Sequence, residues 1–147
     1  MKKTITFLIT AILALGLATT ALPQIYIGYA VNKEGQDIGY YYAYKFVDDA
    51  QIDAKLELRK QVEKQLKEKY NNVDQIFSDY TKERLPFLVI VKGTDDKGEM
   101  RYAAGWSRVG FEEARQKAVK ALKERHWNWS ESNELVILEK KELNQTE

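Results

Sequence analysis

Nucleophilic catalysis needs a nucleophile, a base and a group that orients the base. The sequence offers four serines (Ser78, Ser107, Ser130 and Ser132), a single histidine, His126, and no cysteine. A lone histidine cannot build a histidine-rich metal site. Without cysteine there is no thiolate zinc site, disulfide or thiol nucleophile. His126 closes a basic stretch ahead of Trp127, where a helix-terminal cation or a packing residue accounts for it without catalysis. Carboxylates are paired at Asp48-Asp49, Asp95-Asp96 and Glu112-Glu113. Sequence neighbours do not face one another on a helix. Asp95-Asp96-Lys97-Gly98 lacks the alternating acids of a calcium loop, and nothing singles out a glycosidase dyad. Gly28 and Gly35 lack the spacing of a phosphate loop. The expectation is a chain with no catalytic residue, no metal site and no cofactor.

The aromatic residues carry the more suggestive pattern. Three tryptophans (Trp106, Trp127 and Trp129) accompany nine tyrosines. Tyr40, Tyr42 and Tyr44 alternate, so on a strand they share one face. Trp127 and Trp129 would share a face if that segment were extended. Trp106 is expected in the core, under a helix. Tyr40, Tyr42, Tyr44, Trp127 and Trp129 are therefore the candidate binding residues, since exposed aromatic rows suit protein partners or sugar rings.

Charge adds exclusions. Lys+Arg is 23 against 22 for Asp+Glu, a net of +1 over 147 residues. The signs alternate along Lys55 to Lys69, as on a solvated helix face, so neither a nucleic-acid stripe nor an anionic membrane surface is indicated.

The start of the chain reads as an address. Met1-Lys2-Lys3 is positive, Thr4 to Leu17 is uncharged and mostly apolar, and Ala18-Thr19-Thr20-Ala21 is small. This is the three-part layout of a secretory signal peptide, with cleavage expected after Ala21 or, second, after Ala18. The apolar run is shorter than the roughly 20 residues of a membrane span. Residues 22–147 are then one mature domain, exported to the periplasm or the exterior. The membrane is met only through the signal peptide before cleavage. Asn128-Trp129-Ser130 and Asn144-Gln145-Thr146 match the glycosylation pattern and are read as chance.

The elements that must position these residues occur twice. Ile25 to Val31, a turn at Asn32-Lys33-Glu34-Gly35 and a Gly39-to-Tyr44 strand are matched by Phe87 to Val91, a turn ending at Gly98 and an Arg101-to-Trp106 strand. Gly35 and Gly98 supply the positive φ that tight hairpins need. Each hairpin leads into an Ala-x-x-x-Ala segment, Ala50/Ala54 and Ala114/Ala118. The first helix is expected from about Asp48 to Tyr70, on a stripe of Ala50, Ala54, Leu58, Val62, Leu66 and Tyr70 widened by Ile52 and Leu56. Asn71-Asn72 breaks it, and Val73, Ile76, Phe77 and Tyr80 suggest a short second helix before Pro86. A third helix spans Phe111 to His126. Leu135 to Leu138 forms a closing strand, with a charged, frayed tail from about 139. The order ββα-α-ββαβ predicts an α+β fold, with two ββα repeats, one antiparallel sheet of about five strands and helices on one face.

The paired stretches Gly39 to Ala54 and Gly105 to Ala118, notably Gly105-Trp106-Ser107 and Glu112-Glu113-Ala114, resemble a family of small exported bacterial proteins of unknown function. The family carries a small-aromatic strand followed by a Glu-Ala-x-x-x-Ala helix, twice. The resemblance implies export and an α+β repeat, and brings no catalytic residues. The expected function is a non-enzymatic binding or interaction module with an envelope or extracellular protein as partner. A carbohydrate or peptidoglycan binder and a carboxylate-dependent hydrolase are the alternatives.

Overall fold

The computed structural model describes residues 22–49 and 51–144. The segment expected to be a signal peptide lies outside them, as does Ala50. Six strands and two helices follow in order: β1 (Leu22–Val31), β2 (Asp37–Val47), α1 (Lys55–Lys69), β3 (Gln75–Thr81), β4 (Phe87–Thr94), β5 (Met100–Ser107), α2 (Phe111–Arg125) and β6 (Glu134–Glu142). The chain is a ββαβ unit written twice.

The α+β class holds, but the single five-stranded sheet with helices on one face does not. There are two three-stranded antiparallel sheets, ordered β2-β1-β3 and β5-β4-β6. The central strands show why. Nine of the ten β1 residues are buried, so both faces of that strand must be covered. Ile25, Ile27 and Tyr29 point one way, onto Leu88, Ile90 and Ala104 of the second sheet. Tyr26 and Ala30 point the other way, onto Leu58, Val62 and Leu66 of α1. In the second unit Val89 and Val91 meet Ala114, Ala118 and Leu122 of α2. The layers are therefore helix, sheet, sheet, helix.

The error in strand count traces to residues 73–80. Val73, Ile76, Phe77 and Tyr80 have helical spacing, yet the segment is β3, paired antiparallel to β1 from Ile25↔Thr81 to Val31↔Gln75. Branched and aromatic residues suit a pleated surface, and β1 offers them an unpaired edge. The first helix is also shorter than expected. Asp48, Asp49 and residues 51–54 belong to the connection instead, and buried Gln24 holds it: Nε2 donates to the Ile52 carbonyl at 2.6 Å, and Oε1 accepts from Ala54 N–H at 3.0 Å. Ile52, in this connection, and Leu56, in the first turn of α1, are solvent-exposed rather than part of the stripe. At the other end β6 continues to Glu142 and Leu143 is buried, so the chain is ordered past the expected fraying point.

The two hairpin turns are built alike. Asn32 Oδ1 accepts from the N–H groups of Glu34 and Gln36, and Asp95 Oδ1 accepts from those of Lys97 and Glu99. Gly35 and Gly98 follow at φ 77° and 82°, in the left-handed region. Asn72, at φ 66°, turns the chain after α1.

Candidate functional site

Tyr40, Tyr42 and Tyr44 share the face of β2 that is turned towards the second sheet. Because β2 is an edge strand, the row runs from the inter-sheet core out to solvent. Tyr40 packs edge-on to Tyr102 at 5.1 Å, and its hydroxyl donates to Glu139 Oε1 at 3.3 Å. Tyr42 and Tyr44 stack at 6.4 Å with 22° between their planes, and Phe46 meets Tyr44 edge-on. A groove of about 410 Å³ follows the rim. Glu139 stands beside the tyrosine row, and Lys69 with Tyr70 approaches from the other face of β2. Tyr70 lies on Gly39, where a Cβ would fall 2.0 Å from its ring, so glycine is what admits it. Burial raises the Tyr40 hydroxyl well above the tyrosine range, and the neighbouring Glu139 carboxylate adds to the effect. Burial and then Glu139 act on Tyr42 in the same direction. Both are neutral hydrogen-bonding groups at neutral pH.

The tryptophans do not join this row. Trp127 is 89% exposed, but Trp129 is buried in the α2 core, its indole N–H donating to the Glu134 carbonyl at 2.9 Å. A turn, not a strand, links them, as Trp129 N–H bonds the His126 carbonyl. Alternation therefore implies no shared face. Trp106 lies at the inter-sheet interface rather than beneath a helix.

A second constellation gave no signal in the spacing. Asp37 opens β2 with its side chain fully buried, and two arginines converge on it. Arg125, the last residue of α2, is bidentate: Nη1 to Oδ2 at 2.6 Å and Nη2 to Oδ1 at 3.2 Å. Arg101 of β5 reaches Oδ1 from Nη1 at 3.3 Å. The same Asp37 carboxylate accepts Tyr102 N–H at 2.9 Å, and Arg125 donates to the Tyr102 carbonyl. The edge of β5 is satisfied in this way, and the two sheets are tied through one ion cluster. Arg125 also lies 4.1 Å over the Tyr29 ring. The Tyr29 hydroxyl donates to Asp79 Oδ2 at 3.4 Å, and burial raises that carboxyl against the opposing pull of Arg125. The partners lie 64 and 88 positions apart, beyond any local motif.

His126 is 1% exposed, with Nε2 at 3.0 Å from the Glu99 carbonyl and 3.8 Å from Asp95 Oδ2. That carboxylate oxygen is buried and has no hydrogen-bond partner among the described residues. No serine hydroxyl bonds the ring among the described residues, and Ser107 Oγ instead accepts Val109 N–H ahead of α2. Among the described residues no three His, Asp or Glu side chains are grouped to hold a metal ion. No helix among them is long and apolar enough to cross a membrane.

No family model, curated protein or solved structure matches the chain.

Proposed function

We propose that the protein is an exported, non-enzymatic binding module that meets an envelope or extracellular partner along the tyrosine rim of β2. One observation carries the reading. Tyr42 and Tyr44 form a stacked pair on an edge strand, Tyr44 is exposed, and the groove beside them combines aromatic surface with Glu139 and Lys69. Aromatic groups contribute large contact area at small entropic cost, which is why they dominate binding surfaces. The residues of the N-terminal signal pattern support export.

The near-parallel Tyr42–Tyr44 rings beside a carboxylate also favour a second reading, a sugar ring laid across the pair. One experiment separates the two. A photoreactive residue is placed at Tyr44, with Leu56 on the exposed face of α1 as the positional control, and crosslinking is performed in cells. A protein partner gives a discrete adduct from position 44, absent from position 56 and diminished by Tyr42→Ala. Identical adducts from both positions, or none from either, would overturn the protein-partner reading. Binding to a glycan array that disappears in Tyr42→Ala would establish the sugar reading instead.

A further inference from the structure

We infer that a cleft at the turn end of the first sheet is a second binding site, and that it takes a small monocarboxylate with an apolar body. The cleft holds about 440 Å³, within the range of small-molecule sites, and shares no lining residue with the tyrosine groove. Residues of the β1–β2 turn and of the start of β3 line it, together with the guanidinium pair Arg101 and Arg125.

The donor inventory sets the ligand chemistry. A guanidinium carries five N–H groups. Arg101 spends three hydrogen bonds, on Asp37, the Gly35 carbonyl and Glu99. Arg125 spends three, two on Asp37 and one on the Tyr102 carbonyl. Each retains its Nε–H and one Nη–H. Lys33, on the exposed turn, adds a further cationic donor. On Arg125 the spare Nε–H and Nη2–H adjoin, the planar fork that matches a carboxylate, whereas on Arg101 Nη2 is fully used and the spare groups lie apart.

The charge count sets the valence. Asp37 and Glu99 already sit against the two guanidiniums, Asp79 accepts the Tyr29 hydroxyl, and Asp74 lines the cleft together with Lys33. Three cationic groups thus stand against four acidic ones, so the site has guanidinium donors but no net positive field. A multiply charged anion gains little there, while a single carboxylate gains the hydrogen bonds. The rest of the ligand meets Phe77, a large apolar side chain left 51% exposed, and Val31. The buried Asp37 keeps both guanidiniums in place before a ligand arrives, so little ordering cost remains.

The test is an NMR titration of the protein, following backbone amides and arginine Nε–H groups. The probes are 3-phenylpropionate, its neutral amide and inorganic phosphate. The carboxylate is expected to give saturable shifts at Arg101, Arg125, Lys33 and Phe77, with a dissociation constant on the order of 1 mM for a ligand of this size. Lys33→Ala and Phe77→Ala, at solvent-exposed positions that leave the core intact, are each expected to weaken it about fivefold, roughly the effect of one lost contact. Absence of saturation, equal binding of the amide, or tighter binding of phosphate would each overturn the inference. Because neither variant touches β2, failure here leaves the tyrosine-rim reading standing.

Discussion

Replacing Gly105 with alanine tests how closely α2 lies on its sheet. A Cβ built at that position falls 2.1 Å from the Ala114 carbonyl oxygen and 2.3 Å from the Ala118 nitrogen. Both are helix backbone, so no side-chain rotation relieves the clash. Ordinary contacts begin near 3.4 Å, so α2 must retreat by more than 1 Å. A gap of that size forfeits a quarter to a half of the dispersion wells along the seam, where Ala114, Ala118 and Leu122 meet Val89, Val91 and Ala103. Overpacking ordinarily costs about 1–3 kcal/mol. With backbone as the obstacle, the upper end, about 3 kcal/mol, is expected. Gly110→Ala is the control, since a Cβ there meets nothing within 4 Å and the backbone is extended. It should change stability by about 0.5 kcal/mol or less. The assay is urea unfolding followed by circular dichroism, comparing midpoints at unchanged m. If Gly105→Ala unfolds at the midpoint of Gly110→Ala, the close seam between α2 and β5 is refuted.

Three further expectations follow from the ion cluster and the tyrosines. Asp37→Ala leaves two partly buried guanidiniums without their shared carboxylate and should cost about 3 kcal/mol in urea unfolding. Burial raises the Asp79 carboxyl in the fold, so its ionised form is a liability at neutral pH. Asp79→Asn should therefore raise the melting temperature at pH 7, the gain shrinking as pH falls through the raised pKa and vanishing below the ordinary value of about 3.9. Tyr80 is pushed up to about 12, first by burial and then by its hydrogen bond to Asp53. The stability it lends is whole below about pH 10 and is lost as pH rises through 12. Tyrosinate absorbance of Asp53→Asn should show Tyr80 titrating part of the way back, not all of it, because burial is the larger cause.

Much of the framework was legible because it rests on local chemistry. The hairpins announce themselves through Gly35 and Gly98, whose positive φ the turns require, and α2 through its acidic start and basic end. Leu58, Val62 and Leu66 form the buried stripe their four-residue spacing implies. What failed was decided at long range. Val73, Ile76, Phe77 and Tyr80 carry a helical spacing that a half-exposed edge strand reproduces by chance, and only the open edge of β1 selects the strand. The buried run of β1 was itself a sign of cover on both faces, which a single sheet with helices on one side cannot supply. Tyr40, Tyr42 and Tyr44 do share a face, because alternation is a local property of a strand. Trp127 and Trp129 do not, because a turn breaks the alternation. The Asp37 cluster joins residues from both halves, and no local pattern marks such a meeting.

The face-to-face placement of the two sheets bears on how the chain reaches its folded state. Ile25, Ile27 and Tyr29 are buried by Leu88, Ile90 and Ala104, residues synthesised some sixty positions later. When the polypeptide ends at Thr81, three strands and a helix are present, yet one whole side of that sheet remains greasy and uncovered. Each half buries that face only against the other, and separating them would expose both. The tandem units are arranged like a dimer whose subunits share one polypeptide, and the tether raises the concentration of each half at the other far above that of any separate chain.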